Sequence, residues 1–426
     1  MSVERRLNLL KKLKESIVVY EDEIYYALKR DLDKDLGEAY LTEVQVVINE
    51  IRFAIKNLKK WLKPKRVRGT IGNFPSKNYI YRDALGCVLI LTPWNYPFNL
   101  SFIPLVGAIA GGNTAVVKMS RKAPATEEAA RKIIERTFVE GEVTVVPSDS
   151  DFSELMKGKY DMVFFTGSTS VGKAVMAEAS KTLTPVILEL GGKSPCYVNK
   201  SADIKLAAKR IAWGKLLNGG QTCVAPDYVL VDEEIESEFI GALKREFKKN
   251  SQIKVINEEA FKRILSYMEE ENFVIGGGYN KEKLSIEPTI IPHCDPDSPV
   301  MREEIFGPVM PVIGVENQSE AEVIVRDRPS PLAFYIFSSN LKEARAMMRR
   351  LDFGGGCIND VIMHIANHHL PFGGVGSSGM GCYHGEYNFK AFTRKKSVVI
   401  SSTFLDLPFR YFPYGERKIK FLKKIL

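Results

Sequence analysis

The sequence predicts an α/β protein in which helices cover both faces of parallel β-sheets. Three observations predict this fold class. Short β-prone runs recur from residue 87 onward, helical segments lie between them, and the runs are continuously apolar. Because a connection from one strand through a helix to the next is a right-handed crossover, the alternation predicts parallel strands. A parallel sheet that is buried on both faces explains the apolar runs.

The alternation is preceded by helices and falls into two units. Apolar residues at three- and four-residue spacing predict a helix over 41–62, and a similar pattern runs from about 3 to 32. In the first unit, strands are predicted at 87–91, 114–118, 143–146, 162–165 and 186–188, with helices near 99–110, 124–138, 151–158 and 171–181. In the second unit, helices are predicted at 203–217 and 233–248, and strands at 228–231 and near 309–313. The β-prone segments 78–81 and 397–401 could pair as a small separate sheet, which the sequence leaves open.

Composition and charge exclude several classes of function. The net charge of +8 over 426 residues is a mild excess, so we expect no nucleic-acid partner. The six cysteines form no C-x-x-C pair, which indicates free thiols in a reducing, cytoplasmic environment. Residues 84–117 carry no charge, but their prolines, glycines and asparagines favour a buried strand, loop and helix over a membrane span. His364 and His368 have no Glu between them and Pro371 follows, so we expect no metal.

Four motifs contain residues that could carry chemistry, and each also has a plain structural interpretation. The turn from Gly167 to Gly172 opens a helix where backbone amides could approach a pyrophosphate, or it is simply a tight turn. Cys223, on a glycine-rich loop, could be a nucleophile or a small buried side chain. Glu189, flanked by leucines, could be a general base or a buried ion-pair partner. Asn95, in a proline-stiffened loop, could donate to an oxyanion or cap a turn.

Taken together and in this order, five motifs resemble the aldehyde dehydrogenase superfamily. They are Pro93-Trp94-Asn95-Tyr96-Pro97, Phe165-Thr166-Gly167-Ser168, Leu188-Glu189-Leu190-Gly191-Gly192, Gly220-Gln221-Thr222-Cys223 and Glu303-Glu304-Ile305-Phe306-Gly307-Pro308. The resemblance covers nearly the whole chain. The short N-terminus and the block 359–374 resemble the class 3, fatty-aldehyde-type branch more closely.

The resemblance implies a division of the chain into domains and a homodimer. A Rossmann-type cofactor domain would comprise 1–76 and 86–188, and a second α/β domain, which is catalytic, would comprise 189–394. Residues 77–85 and 395–404 would form bridging strands that serve oligomerisation, and 405–426 a basic tail.

The resemblance also implies NAD(P)-dependent oxidation of aliphatic or aromatic aldehydes to carboxylic acids. Cys223 would attack the aldehyde carbon, Asn95 and the backbone amide of Cys223 would hold the oxyanion, and Glu189 would activate the water that hydrolyses the thioester. The residues implied in cofactor binding are Lys118 at the adenosine ribose, Ser168 at the pyrophosphate within the turn that includes Thr166, Gly167 and Gly172, Glu304 at the nicotinamide ribose, and Phe306 beside the nicotinamide.

One position departs from the pattern of NAD-preferring relatives, which often carry Glu three residues after this lysine. Here the residue is Arg121, which could pair with a 2′-phosphate where Glu would repel it. We predict that NADP is accepted. The alternative is a solvent-facing Arg121 in an enzyme that still uses NAD.

The C-terminal tail concentrates positive charge. Residues 405–426 contain six basic and two acidic residues, which is half of the net charge. The tail resembles the extension that follows the core in class 3 relatives, and we expect no membrane anchor in it. Peripheral contact with anionic lipid is one interpretation, and a helix packed on the protein or on its partner subunit is the other.

Two other functions compete with aldehyde oxidation. A dehydrogenase that passes the acyl group to coenzyme A would not need a water-activating base, so Glu189 argues against it. A catalytically silent relative, acting as a structural or binding protein, would not need the set of Cys223, Glu189 and Asn95.

Overall fold

The computed structural model describes residues 1–271 and 273–425, and within them an α/β fold with two large sheets is present, as predicted. The strands of the first sheet lie in the order Gly379–Met380, Val186–Leu190, Met162–Gly167, Cys87–Leu91, Thr114–Lys118 and Val143–Val146. Neighbouring strands are parallel except at Gly379–Met380, which pairs antiparallel with Val186–Leu190. The intervening helices are Asn99–Gly111, Pro124–Thr137, Phe152–Met156 and Thr169–Ser180.

The uncharged stretch 84–117, which is long enough to span a membrane, is part of this buried core, as predicted. Residues 84–117 form the strand Cys87–Leu91, the helix Asn99–Gly111 and most of the strand Thr114–Lys118. Of the helices that the structure describes, none is both long enough and apolar enough to cross a bilayer.

The N-terminal helices follow the predicted pattern, with local departures at two points. The helical pattern over 3–32 is confirmed and forms two helices, Val3–Val19 and Glu21–Leu32, which separate at Tyr20 (φ −100°, ψ 15°). Acidic residues in the first turn of the second helix suit the partial positive charge of a helix start. After the short helix Leu36–Ala39, the predicted helix over 41–62 begins as a π-helical turn at Tyr40–Val44 and continues as Gln45–Trp61.

The second large sheet is parallel throughout, in the order Thr289–Ile291, Val309–Val315, Tyr228–Asp232, Pro195–Val198, Ala333–Phe337 and Gly355–Ile358. Helices Ile204–Leu216, Glu233–Phe247, Glu258–Glu269, Gln318–Arg326 and Leu341–Arg350 accompany it. The remaining elements are the short strands Ile253–Lys254, Tyr279–Asn280 and Ser285–Ile286, the helices Gly385–Ala391 and Glu416–Ile425, and the 3₁₀ turns Ile71–Asn73, Leu217–Gly220, Pro299–Met301, Met363–Ala366, Gly376–Ser378 and Pro408–Arg410.

The third sheet confirms that the two β-prone segments pair. Strand Thr393–Ser401 runs antiparallel to Ser76–Ala84, with Ser397 opposite Ile80, and Lys65–Val67 pairs with the other side of Ser76–Ala84. Most side chains of Thr393–Ser401 are exposed.

Candidate active site

The carboxyl ends of three strands of the first sheet open into a cavity of about 210 Å³. Parallel sheets characteristically bind ligands at this edge. The cavity is lined by Pro93, Trp94, Asn95, Leu100, Thr166, Gly167, Ser168, Glu189, Leu190, Gly191, Cys223, Glu304 and Phe306. The structure thus brings together all three predicted catalytic residues and five of the eight predicted cofactor residues.

Cys223 lies on a loop whose backbone only glycine readily permits. The loop follows the turn Leu217–Gly220, in which Gly219 and Gly220 have φ of +65° and +76°. A Cβ on Gly220 would lie 2.3 Å from the carbonyl oxygen of Gly307, so the loop packs directly against the segment that carries Phe306. Burial raises the pKa of the Cys223 thiol well above its usual value, and the carboxyls of Glu189 and Glu304 act in the same direction. The thiol is therefore neutral near pH 7, and it would need a base in order to act as a nucleophile.

Glu189 has the properties of such a base. Its side chain is 1% exposed, and neither carboxylate oxygen has a hydrogen-bond partner among residues 1–271 and 273–425. Burial raises the pKa of Glu189 to about 7, while the neighbouring Cys223 and Thr166 side chains lower it in part. Within the described residues Glu189 makes no ion pair, so the structure does not support the ion-pair interpretation.

Asn95 is held by contacts across the molecule rather than by a local turn. Its Nδ2 donates to the carbonyl oxygen of Gln221, 3.0 Å away, two residues before Cys223. The main-chain carbonyl oxygen of Asn95 accepts from Asn218 Nδ2 at 2.8 Å and from Lys34 Nζ at 3.0 Å. One amide N–H is therefore engaged with the Cys223 loop, and the amide has a second N–H for a group in the cavity.

Lys118 and Arg121 lie together in a second cavity of about 300 Å³. Phe165 lines this cavity while Thr166 and Gly167 line the first, so the two cavities are neighbours along one strand end. Lys118 Nζ donates to the carbonyl oxygen of Ser148 at 2.7 Å, and burial lowers the pKa of Lys118.

The residues of the turn from Gly167 to Gly172 make different contacts. Ser168 caps the helix Thr169–Ser180 by accepting from the Val171 amide at 3.5 Å. A Cβ on Gly172 would lie 2.6 Å from Leu190 Cδ2, so Gly172 permits close packing of helix on strand and does not line the first cavity. Among the predicted cofactor residues, Gly172 therefore has a packing role in the structure.

The two cavities fit a dinucleotide. The Thr166 hydroxyl is buried without a hydrogen-bond partner in the described part of the chain. A Cβ on Gly191 would lie 2.1 Å from Glu304 Oε2, so a side chain at this position would displace that carboxyl. Burial raises the pKa of Glu304 well above its usual value, and the charge of Asp227 raises it further. Together with Lys118 and Arg121 in the second cavity, these groups suit ribose hydroxyls and phosphates.

Comparison with known proteins agrees with this geometry. Residues 1–398 match the family model described as "Aldehyde dehydrogenase family". The chain belongs to the aldehyde dehydrogenase family. It is 43% identical, over 98% of its length and 94% of the relative's, to 4,4'-diaponeurosporen-aldehyde dehydrogenase of Staphylococcus aureus. It is 43% identical, over 88% of its length and 85% of the relative's, to the mouse protein named "Aldehyde dehydrogenase, dimeric NADP-preferring".

A solved structure resembles this aldehyde dehydrogenase along almost its entire length. The substrate-bound state of Staphylococcus aureus AldH superposes with a TM-score of 0.95 at 42% identity, covering 99% of this chain and 95% of that one. Relatives named as family 3 members, including one from Arabidopsis thaliana at 40% identity over 99% of this chain and 90% of that protein, confirm the predicted class 3 resemblance. This aldehyde dehydrogenase is an oxidoreductase that uses NAD or NADP to oxidise aldehydes to carboxylic acids.

Several residues in or beside the site were not predicted from the sequence. Trp94, whose ring meets that of Phe306 edge-on at 5.5 Å, and Gly191 are sequence neighbours of predicted residues, so the motifs themselves contained the signal. Lys34, by contrast, lies in a charged N-terminal region and has no sequence signal that separates it from solvated lysines.

Proposed function

We propose that the oxidation of aldehydes is carried out by Cys223, Glu189 and Asn95. The observation that supports this most strongly is the coexistence, in one cavity, of a neutral thiol and a buried carboxyl whose pKa is raised to about 7. A base with a pKa near the working pH is the kind best suited to proton transfer from a thiol or a water.

The reaction begins with proton transfer from the Cys223 thiol to the Glu189 carboxylate as the sulfur bonds to the aldehyde carbon. The oxygen of the aldehyde becomes an oxyanion, to which Asn95 Nδ2 and the backbone N–H of Cys223 donate. A bound nicotinamide would supply the hydride acceptor for that carbon, and Cys223 would then carry the acyl group as a thioester. Glu189 first releases to solvent the proton that it took from Cys223, which restores its carboxylate. It then removes a proton from water as the water oxygen attacks the thioester, the carbon–sulfur bond breaks, and Glu189 returns that proton to the departing Cys223 sulfur as the carboxylic acid is released.

The dinucleotide is held by residues of both cavities. We propose Lys118 and Arg121 on the adenosine side, Ser168 with Thr166 and Gly167 near the pyrophosphate, and Glu304 and Phe306 on the nicotinamide side. This assignment is supported by the position of all seven residues in the two neighbouring cavities.

The aldehyde that we propose is aliphatic or aromatic, because Trp94, Leu100 and Phe306 line the cavity beside Cys223. The Staphylococcus aureus relative is named for the aldehyde 4,4'-diaponeurosporen-aldehyde. A panel of aldehydes of increasing chain length, assayed by reduction of NAD and of NADP, tests the proposal. Carboxylic acid should form without coenzyme A, and production of acyl-coenzyme A on its addition would favour the acylating alternative instead.

Exchange of Arg121 for Glu should shift the cofactor preference. The charge-assisted contact with a 2′-phosphate is worth about 1.5–3 kcal/mol, so KM for NADP should rise about tenfold or more while KM for NAD changes little. The comparison is with Arg136→Glu, an exposed arginine near the end of the helix Pro124–Thr137. An unchanged ratio of the two KM values in Arg121→Glu would contradict the role of Arg121.

We also propose a homodimer. The mouse relative is named dimeric, and Thr393–Ser401 and Gly355–Ile358 are edge strands of their sheets that could accept a strand from a second copy. Light scattering should give the mass of two chains, and the mass of one chain would refute the dimer.

The C-terminal helix Glu416–Ile425 is a candidate for membrane contact. Ile419 and Phe421 are 43% and 50% exposed, among several lysines of the same helix. We expect the protein to sediment with phosphatidylserine-containing vesicles, to be released by salt, and to lose this binding when residues 414–426 are removed. Equal binding to neutral vesicles, or no effect of the deletion, would favour a helix that packs on protein.

A further inference from the structure

Lys34 and Glu43 form an ion pair that is completely buried and lies outside the cavity. Their side chains are 1% and 0% exposed, and Lys34 Nζ lies 2.5 Å from Glu43 Oε1. Burial lowers the pKa of Lys34 and raises the pKa of Glu43, while the charge of each partner acts in the opposite direction. A pair of apolar side chains would generally stabilise a core at least as well, so stability alone does not account for these charges.

The pair contacts the segment that carries Asn95 at three points. Lys34 Nζ donates to the carbonyl oxygen of Asn95 at 3.0 Å and lies 4.0 Å from the centre of the Tyr96 ring. Glu43 Oε2 accepts from the backbone N–H of Asn99 at 2.8 Å. The beginning and the end of this segment are therefore fixed by one ion pair.

The same region also holds the loop that carries Cys223. Asn218 donates its backbone N–H to Glu38 Oε1 at 2.7 Å and its Nδ2 to the Asn95 carbonyl oxygen at 2.8 Å. The Tyr96 hydroxyl is 2.6 Å from Thr222 Oγ1, one residue before Cys223. The N-terminal region thus contacts both the segment that carries Asn95 and the loop that carries Cys223.

The local backbone around Glu43 is unusual. Glu43 lies in the π-helical turn Tyr40–Val44 between two α-helical segments. Such turns occur frequently at functional sites, because they redirect side chains that a regular helix would place elsewhere.

We propose that Lys34 and Glu43 are positioning residues that hold the Asn95 amide in place for the oxyanion and so set kcat. The proposal rests on the proposed role of Asn95. An apolar pair could fill the same space but could not donate to the Asn95 carbonyl oxygen, which is the link by which the pair acts on the site.

The test compares single and double substitutions of the pair. Lys34→Met and Glu43→Leu each leave one buried charge unpaired, and both should lower the thermal midpoint and kcat. The double variant Lys34→Met/Glu43→Leu should recover the midpoint and still have a kcat about 10- to 100-fold below that of the unaltered enzyme, with KM for the aldehyde nearly unchanged. Recovery of kcat together with the midpoint would show that the pair is merely structural and overturn the proposal.

A second measurement does not depend on stability. In an Asn95→Ala background the pair has no amide donor to position, so the double substitution should reduce kcat much less than it does with Asn95 present. An equal reduction in both backgrounds would overturn the proposal. The control is Arg5→Met/Glu142→Leu, which removes a partly buried ion pair beside the strand at the opposite edge of the first sheet and should leave kcat unchanged.

Failure of the proposed function would be recognised separately. If Asn95→Ala alone left kcat at the level of the unaltered enzyme, the oxyanion role of Asn95 would be wrong, whatever the pair does.

Discussion

Cys223→Ser is expected to reduce aldehyde oxidation by about four to six orders of magnitude, as loss of a nucleophile does in other covalent enzymes. A hydroxyl is far less acidic than a thiol, and a Glu189 carboxyl with a pKa of about 7 is too weak a base to activate it. Reduction of the cofactor measures the rate, and intact-mass spectrometry after mixing with aldehyde and cofactor should detect no acyl adduct.

The matched control is Cys87→Ser. Cys87 is a free cysteine at the amino end of the strand Cys87–Leu91, whose carboxyl end leads to the cavity. Its substitution should leave kcat unchanged. Full turnover by Cys223→Ser would refute the mechanism.

Glu189→Gln should lower kcat by about 10²- to 10⁴-fold, the usual contribution of a general base. It should also change the pH dependence. Glu189 acts as a base only when it is ionised, so the rate should rise as pH increases through about 7 in the unaltered enzyme. The glutamine variant should lack this rise, and a rise that persists with the same midpoint would assign the titration to another group.

The same substitution should stabilise the fold at alkaline pH. The pKa of Glu189 is raised from 4.5 to about 7 on folding, so the folded state binds this proton more tightly than the unfolded state. Stability therefore falls as pH rises from 4.5 to about 7, and above that range the loss is complete. Glutamine has no proton to lose, so thermal unfolding should show Glu189→Gln gaining up to about 3 kcal/mol relative to the parent between pH 5 and pH 8. An equal difference at both pH values would contradict the raised pKa.

The sequence predicted the first sheet well because its strands are separated by helices of clear periodicity. Strands 162–165 and 186–188 continue in the structure to Gly167 and Leu190, so the residues of the motifs are partly strand residues. Several strands of the second sheet, such as Pro195–Val198 and Gly355–Ile358, were not predicted, because runs of four residues carry too little periodicity to separate strand from helix.

The site was predictable to the extent that it lies in contiguous motifs. Asn95, Glu189 and Cys223 each stand in a distinctive local sequence, and the structure brings them to one cavity. Lys34 and Glu43 could not be found in this way, because charged residues of N-terminal helices and of the loops between them normally face solvent, and only the tertiary structure reveals that these two are buried. The chemical roles of the site residues and the domain boundaries stay predictions.

The antiparallel pairing of Gly379 with Glu189 has a consequence for biosynthesis. The ribosome translates Glu189, in the strand Val186–Leu190, long before Gly379 and Met380, which pair with that strand. The edge of Val186–Leu190 therefore stays unpaired in the nascent chain until Gly379 and Met380 have been made. Chains that terminate before Gly379 leave the edge of the strand Val186–Leu190 free to pair with other β-strands, which is a recognised route to aggregation.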